Sequence, residues 1–564
     1  MKILLRIFFV IYFSMFFTAI MLVFLLPVFE ASEISYSLGF INIEISKKFP
    51  TLWINLKNIY CITSFLSFLI IINSIFSIIQ MLLTNIKHNN FKDLPIKKPN
   101  NNLNVHIGQN SKCELVSIPI AGLYQNVLVT GSIGSGKTSS LLYPLTSQLL
   151  ELSFSSKYRS AFLILDVKGN YHNFVQNVCK TNFHFSDLFI ISLQGNITYN
   201  PLDKPNLKPH ILANRLKNIL LLFSPQQSES FWLDKAEQVL TESIRLCRLY
   251  NNGYVTFAEI HHIVMSKSYF EEKINFLQKD FYDNKLSSSQ VNDLSVCLSF
   301  FNDEFYCLDE RTLSILRSEI SRITNVFVSD TDISRVFCPD KKDISFPGFE
   351  YILKNHKIVV LDMNLAEYSS LAKIIAAYLK IDFQAEILMQ LPKSTIYPSC
   401  FICDEYHEYV TAGDSAFFAQ SREAKSINIV ATQSYSSLLC SIRDPTNTKV
   451  LIQNLVNKFW FRTDDSFTID EIMKQLGKEE KEVKSKTISE NARQTNYNFL
   501  FNNFFSKDSN ISESINTSYH KDFIYDSNFF SRELETFSCL AFISNGSKIL
   551  VPDKLRLMPY FKKL

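Results

Sequence analysis

The stretch Gly131–Ser140, GSIGSGKTSS, decides how this chain is read. It fits the spacing G-x-x-x-x-G-K-[ST], in which glycines let backbone amides curl around phosphate oxygens, a lysine reaches the outer phosphates and a hydroxyl faces Mg2+. Those positions are Gly131, Gly136, Lys137 and Thr138, with Ser132, Gly134, Ser135 and Ser139 completing the cradle. A pattern this short also arises by chance, so its flanks matter. NVLVT before it is apolar enough for a buried strand, and SSLLYPLTSQLLEL after it suits a helix whose N-terminus faces the phosphates.

A phosphate cradle needs a second acid at the end of a neighbouring apolar strand. CFICDE, residues 400–405, supplies it: Asp404 is expected to share Mg2+ with Thr138, and Glu405 to orient or deprotonate an attacking water. Further on, SREAKSINIVATQS places Arg422 before a strand and Gln433 after it. From its neighbours alone, Arg422 reads as a surface ion-pairing residue. Cys400 and Cys403 form a C-x-x-C spacing, yet no second cysteine pair or histidine cluster accompanies them, and SCFICDE reads as a buried strand.

Outward from these motifs, short apolar runs alternate with helical stretches: QNVLVTG, AFLILDVKG and DLFIISL, then KIVVLDM, CFICDE, INIVATQS and NKFWFRT. That alternation predicts an α/β domain with a parallel sheet over residues 113–240 and 345–564. An inserted all-α unit is expected at 241–344. The charged and Asn-, Ser- and Phe-rich segment 478–525 reads as a surface excursion, and a last strand is expected within 536–551.

At the other end, residues 7–29 carry no charge over 23 positions and residues 59–86 none over 28. Each exceeds the roughly 20 residues that span a bilayer. No small-x-small site follows the first run, which favours an anchor over a cleaved leader. Lys2 and Arg6 precede the first run, and Lys87, Lys92, Lys97 and Lys98 follow the second. The positive-inside rule then puts both ends in the cytoplasm, with residues 1–86 a two-helix transmembrane hairpin and 87–112 a polar linker. The whole chain of 564 residues, 47% apolar and 20% charged with a net charge of +3, is near balance, so composition alone calls for no nucleic-acid partner. All eleven cysteines except Cys61 follow the second run, where a reducing compartment argues against disulfides.

The order of motifs resembles the type IV secretion coupling proteins, the TraG/TraD-like ATPases. The resemblance rests on the N-terminal hairpin, GSIGSGKT, LDVKGN (165–170), YNPLD (199–203), FWLDKAEQVL (231–240), CDEYHEY and SREAKSINIVATQS. It implies a RecA-like core with a helical insertion, working as a homo-hexamer in the bacterial inner membrane with its bulk cytoplasmic. ATP and Mg2+ would be its cofactors. Channel components would be its partners, and a relaxase–DNA complex or secreted effector its substrate, with DNA favoured. Lys137, Thr138, Asp404 and Glu405 would then carry hydrolysis, Arg422 would act as an arginine finger across a subunit boundary, and Gln433 would sense the γ phosphate. Two positions depart from the family: Asn170 stands where a glutamate is common, and Tyr406 follows the acidic pair where phenylalanine or alanine is usual. Asp166 reads equally as structural or functional. Residues 251–330 hold seven Lys or Arg against twelve Asp or Glu, which suits a protein-docking surface better than a phosphate backbone. Two other readings remain open: a chromosome-pumping DNA translocase, and a membrane receptor that binds nucleotide with little turnover.

Overall fold

The computed structural model describes residues 104–155, 158–223, 230–490, 496–498, 503–505 and 511–563, with positions 11–12, 14–17, 36–38, 41–43, 55, 58–59 and 62–75 before them. The expected spans 7–29 and 59–86 are described only in part, and 87–103 lies outside the described residues. Among the described residues no helix is long and apolar enough to cross a membrane. Met1–Asn100 and Asn101–Leu564 are separate compact units. Within the first, Phe17 of one apolar run stacks on Phe68 of the other, ring centroids 5.7 Å apart.

The second unit is built on one 11-stranded sheet. Its strands are β1 (Asn104–Gln109), β2 (Leu115–Pro119), β3 (Val127–Thr130), β4 (Ala161–Leu165), β5 (Leu188–Ile191), β6 (Ile358–Leu361), β7 (Ser399–Cys403), β8 (Ser426–Thr432), β9 (Asn457–Phe461), β10 (Ser538–Phe542) and β11 (Asp553–Arg556). They lie in the order β2-β1-β11-β10-β9-β3-β8-β7-β4-β6-β5. From β9 to β5 every pairing is parallel, and from β9 to β2 every pairing is antiparallel.

The parallel strands are mostly apolar because both faces are covered, with buried polar exceptions such as Asn428 in β8 and Lys458 in β9. Alternate residues divide between two cores: Leu128, Leu163, Leu165, Phe401 and Val430 face one, and Val127, Val129, Phe162, Ile164 and Ile402 face the other. Helices α1 (Tyr143–Phe154) and α2 (Tyr171–Thr181) contribute to the second core. α1 is preceded by a wider π-helical turn, Thr138–Leu142. Pro144 has no N–H to extend a regular α ladder back into that turn.

Between β5 and β6 the chain is helical, from α3 (Pro209–Phe223) and α4 (Ser230–Tyr250) through further helices to Lys354. These helices share the first core with the sheet, which then receives α5 (Leu365–Leu388). The expected boundary at 240/241 falls inside α4, a continuous 21-residue helix. Residues 104–109, expected as linker, instead form β1, in which Val105 and Ile107 are buried between polar neighbours. The expected excursion at 478–525 contains a long antiparallel pair, Lys478–Glu490 with Ile511–Phe523.

YNPLD proves to be a tether for the helical insertion. Asn200 Nδ2 donates to the Val255 carbonyl at 2.9 Å, and its Oδ1 accepts from Leu202 N at 2.9 Å. The same region fixes its charges on α5: Arg215 and Lys204 reach the buried Asp382 at 2.9 and 3.0 Å.

Candidate nucleotide site

In an open parallel sheet, ligands bind beyond the carboxyl ends of the strands. The order β9-β3-β8-β7-β4 brings the ends of five strands to one rim, with the loop after β3 at its centre. Gly131 N donates to the Gln433 carbonyl at the end of β8, 3.2 Å away, and Ser132 N donates to the Arg462 carbonyl just past β9 at 2.8 Å. The cradle is therefore stapled to both neighbouring strands.

Two glycines are required by what surrounds them. A Cβ on Gly131 would come within 2.5 Å of Phe461 Cβ. Gly136 has φ +97°, a region L side chains rarely enter. Ser135 Oγ closes the loop on the Ser132 carbonyl at 2.8 Å, and Ser139 and Ser140 hydroxyls donate to the Gly136 carbonyl at 3.4 and 2.7 Å. Lys137 folds back over the loop, its Nζ donating to the Gly131 carbonyl at 2.5 Å and the Ser132 carbonyl at 3.3 Å. Burial lowers its pKa, opposed by Glu405 and Asp404.

Asp404 is buried at the end of β7, where its N–H donates to the Leu165 carbonyl of β4 at 3.1 Å. Its Oδ2 accepts from Thr138 Oγ1 at 2.6 Å and its Oδ1 from Glu405 N at 3.0 Å. Thr138 and Asp404 are thus placed to share one ion. Among the described residues no cluster of three His, Cys, Asp or Glu forms a metal site. One carboxylate and one hydroxyl suit Mg2+, which keeps waters and takes its other ligands from phosphates.

Glu405 follows in the left-handed region, φ +48°, ψ +47°. Burial raises its pKa, reinforced by Asp404 and opposed by Lys137, Lys168 and a hydrogen bond from Gln433. Its Oε2 is buried with no hydrogen-bond partner among the described residues. His407 Nδ1 lies 3.8 Å from that oxygen. Asp166, at the end of β4, accepts from Lys168 N and Asn170 N, both at 3.2 Å, so it shapes its own loop. Burial, then Asp404, raises its pKa.

Arg422 is elsewhere. It lies in the turn before β8, at the opposite end of that strand from Gln433, and donates to the Gly546 carbonyl at 3.4 Å. Six residue steps of strand separate Ser426 from Thr432, about 20 Å, so Arg422 does not reach the site of its own chain. Cys400 and Cys403 are buried in β7, where desolvation raises both thiols.

No local motif announces what holds the Glu405 loop. Lys380, fully buried on α5, donates to the Tyr409 carbonyl at 2.7 Å and Thr411 Oγ1 at 3.2 Å, and pairs with the equally buried Asp414. Tyr406 donates its hydroxyl to the same Asp414. The tyrosine that departs from the family pattern thus has a structural use. Burial lowers the Lys380 pKa, and Asp414 opposes that shift.

No protein family matches the sequence, and no curated protein matches it. Solved structures do. Bacterial conjugative coupling protein TrwBdeltaN70, unbound, aligns with a TM-score of 0.53 at 14% identity over 78% of this chain and 87% of that one. Plasmid coupling protein TrwB in complex with ADP and Mg2+ gives 0.52 at 13% identity over 79% and 88%. TrwB with the non-hydrolysable GTP analogue GDPNP gives 0.52 at 12% over 78% and 88%. The chain has the fold of a bacterial conjugative coupling protein.

Proposed function

We propose that this chain is an inner-membrane ATPase that couples recruitment of a DNA–protein complex or an effector protein to transfer through a type IV secretion channel. The observation that carries the reading is the meeting of Lys137, Thr138, Asp404, Glu405 and Gln433 at one sheet rim. Lys137 would leave the loop carbonyls for the outer phosphates of ATP. Thr138 and Asp404 would hold Mg2+, whose charge offsets that of the phosphate oxygens. Water attacks the γ phosphorus, its proton passes to Glu405, and the bond from that phosphorus to the bridging oxygen breaks to release ADP. Gln433 would report that event, since its side chain bonds Glu405 while its carbonyl holds Gly131.

In a homo-hexamer, Arg422 would serve the site of a neighbouring copy. Residues 7–29 and 59–86 would anchor the ring, a reading supported by the Phe17–Phe68 stack. The net acidic helical insertion would dock a protein partner. The test is ATP turnover by the full-length chain in nanodiscs, with and without single- and double-stranded DNA, across protein concentration. Turnover rising steeply with both supports an assembling DNA motor. Turnover indifferent to DNA moves the substrate to effector proteins, and no turnover under any condition overturns the ATPase reading.

A further inference from the structure

Phe537 stands against the phosphate cradle from the side away from Asp404. A Cβ on Gly136 would come within 2.5 Å of its ring. Its own N–H donates to the Ser135 carbonyl at 3.1 Å and its carbonyl accepts from Leu557 N at 2.8 Å, with φ at +63°. The start of β10 and the segment after β11 are thereby fixed to the loop. The chain then turns through Tyr560–Lys563, which packs on the turn Thr138–Leu142.

The rings form a connected set. Phe561 lies 6.1 Å from Phe537 at 70° and 5.7 Å from Tyr560 at 78°, and Tyr560 lies edge-on to Tyr143 at 4.9 Å. Phe561 nevertheless leaves 47% of its surface in water and Tyr560 39%. An exposed aromatic ring held in place by other rings is a prepared stacking surface.

The site itself orients any nucleotide. The outer phosphate belongs beside Asp404 and Glu405, on the β8–β7 side of β3. The nucleoside must therefore leave on the β9–β10 side, where Phe537, Tyr560 and Phe561 stand. We propose that this aromatic turn is the nucleobase platform, with the base stacked on Phe561, Tyr560 bracing that ring and Phe537 joining it to the cradle. Stacking reads the π face of a purine and not its edge.

The proposal rests on the nucleotide reading of the cradle, and one experiment separates the two. Calorimetric titration of the intact chain compares Mg2+-ATP with inorganic tripolyphosphate, which has the phosphates and no base. Phe561→Ala is expected to weaken ATP about tenfold and leave tripolyphosphate unchanged, and Phe561→Tyr to restore ATP binding. Phe561→Trp adds a direct readout, with emission quenched by ATP and not by tripolyphosphate. Equal effects of Phe561→Ala on both ligands, or none on either, overturn the platform. If Lys137→Ala leaves both affinities intact, the cradle reading falls and the platform with it.

Discussion

Thr138 Oγ1 and Asp404 Oδ2 lie 2.6 Å apart although 266 positions separate them in the chain. That contact is a hydrogen bond, about 0.4 Å shorter than the roughly 3.0 Å edge of an octahedron with metal–oxygen bonds of about 2.1 Å, so the two oxygens would part only slightly to share a small hard cation. Asp404→Ala is expected to reduce turnover by about 100-fold or more and to abolish the strengthening of nucleotide binding by Mg2+. Titrations with and without EDTA check it. Binding that responds normally to Mg2+ in the variant would remove Asp404 from the ion site.

Glu405 carries the pH dependence. Its pKa is raised by burial and by Asp404, so the base is lost on acidification at a pH above the ordinary carboxylate range. The acid limb of the kcat profile should lie there. Glu405→Gln is expected to keep nucleotide binding and lose about 100- to 10,000-fold in turnover. A carboxylate whose pKa rises on folding costs stability once ionised, so the same variant should melt higher at neutral pH and lose that advantage in acid. Unchanged turnover would remove the proton-accepting role.

Arg422 is tested by mixing. Arg422→Ala alone should be inactive in hydrolysis, and mixing with Glu405→Gln, which keeps its arginine, should restore part of the activity. Failure to recover at any ratio would count against an arginine donated between copies.

The Lys380–Asp414 pair is fully buried, so removal of one partner strands a charge. Lys380→Met is expected to destabilise by about 3–5 kcal/mol, and Lys380→Met with Asp414→Leu to recover most of it. Denaturant melts check both. Because the pair fixes the Glu405 loop, the double variant should fold yet show a lowered kcat with nucleotide affinity preserved.

Lys458, buried in β9, has its pKa lowered to about 8 by desolvation. The unfolded chain then binds more protons between pH 8 and about 10.4, and stability rises with pH through that window. Lys458→Met should stabilise the fold at pH 7 by up to about 3 kcal/mol, and the difference should shrink as pH rises through the same window. A gap that is constant from pH 7 to pH 10 would contradict the lowered pKa.

Strands buried on both faces were legible because both-face burial leaves an unbroken apolar run, as in VLV, AFLIL and IVVL. The cradle and the acidic pair were legible because their chemistry restricts residue type at fixed spacing. The pair of strands at 478–490 and 511–523 escaped notice, since KEEKEVKSK has little of the apolar alternation that marks a half-buried strand. β1 was hidden by its brevity beside a polar segment. Lys380 and Asp414 are 34 residues apart, and nothing local in either stretch announces a buried ion pair. Phe537 gave no signal either, because its neighbour Gly136 lies some 400 residues earlier.

The strand order around β3 has a consequence for how the chain is made. Both neighbours of β3 in the sheet, β8 and β9, are translated about 300 residues after it. At roughly 5–20 residues per second, a ribosome needs about 15–60 s to deliver them. For that interval VLVT and the glycine loop emerge with no partner strand on either side. The nascent chain therefore exposes an unpaired apolar strand throughout that interval, and a message truncated before residue 426 yields a cradle motif without either strand that flanks it in the sheet.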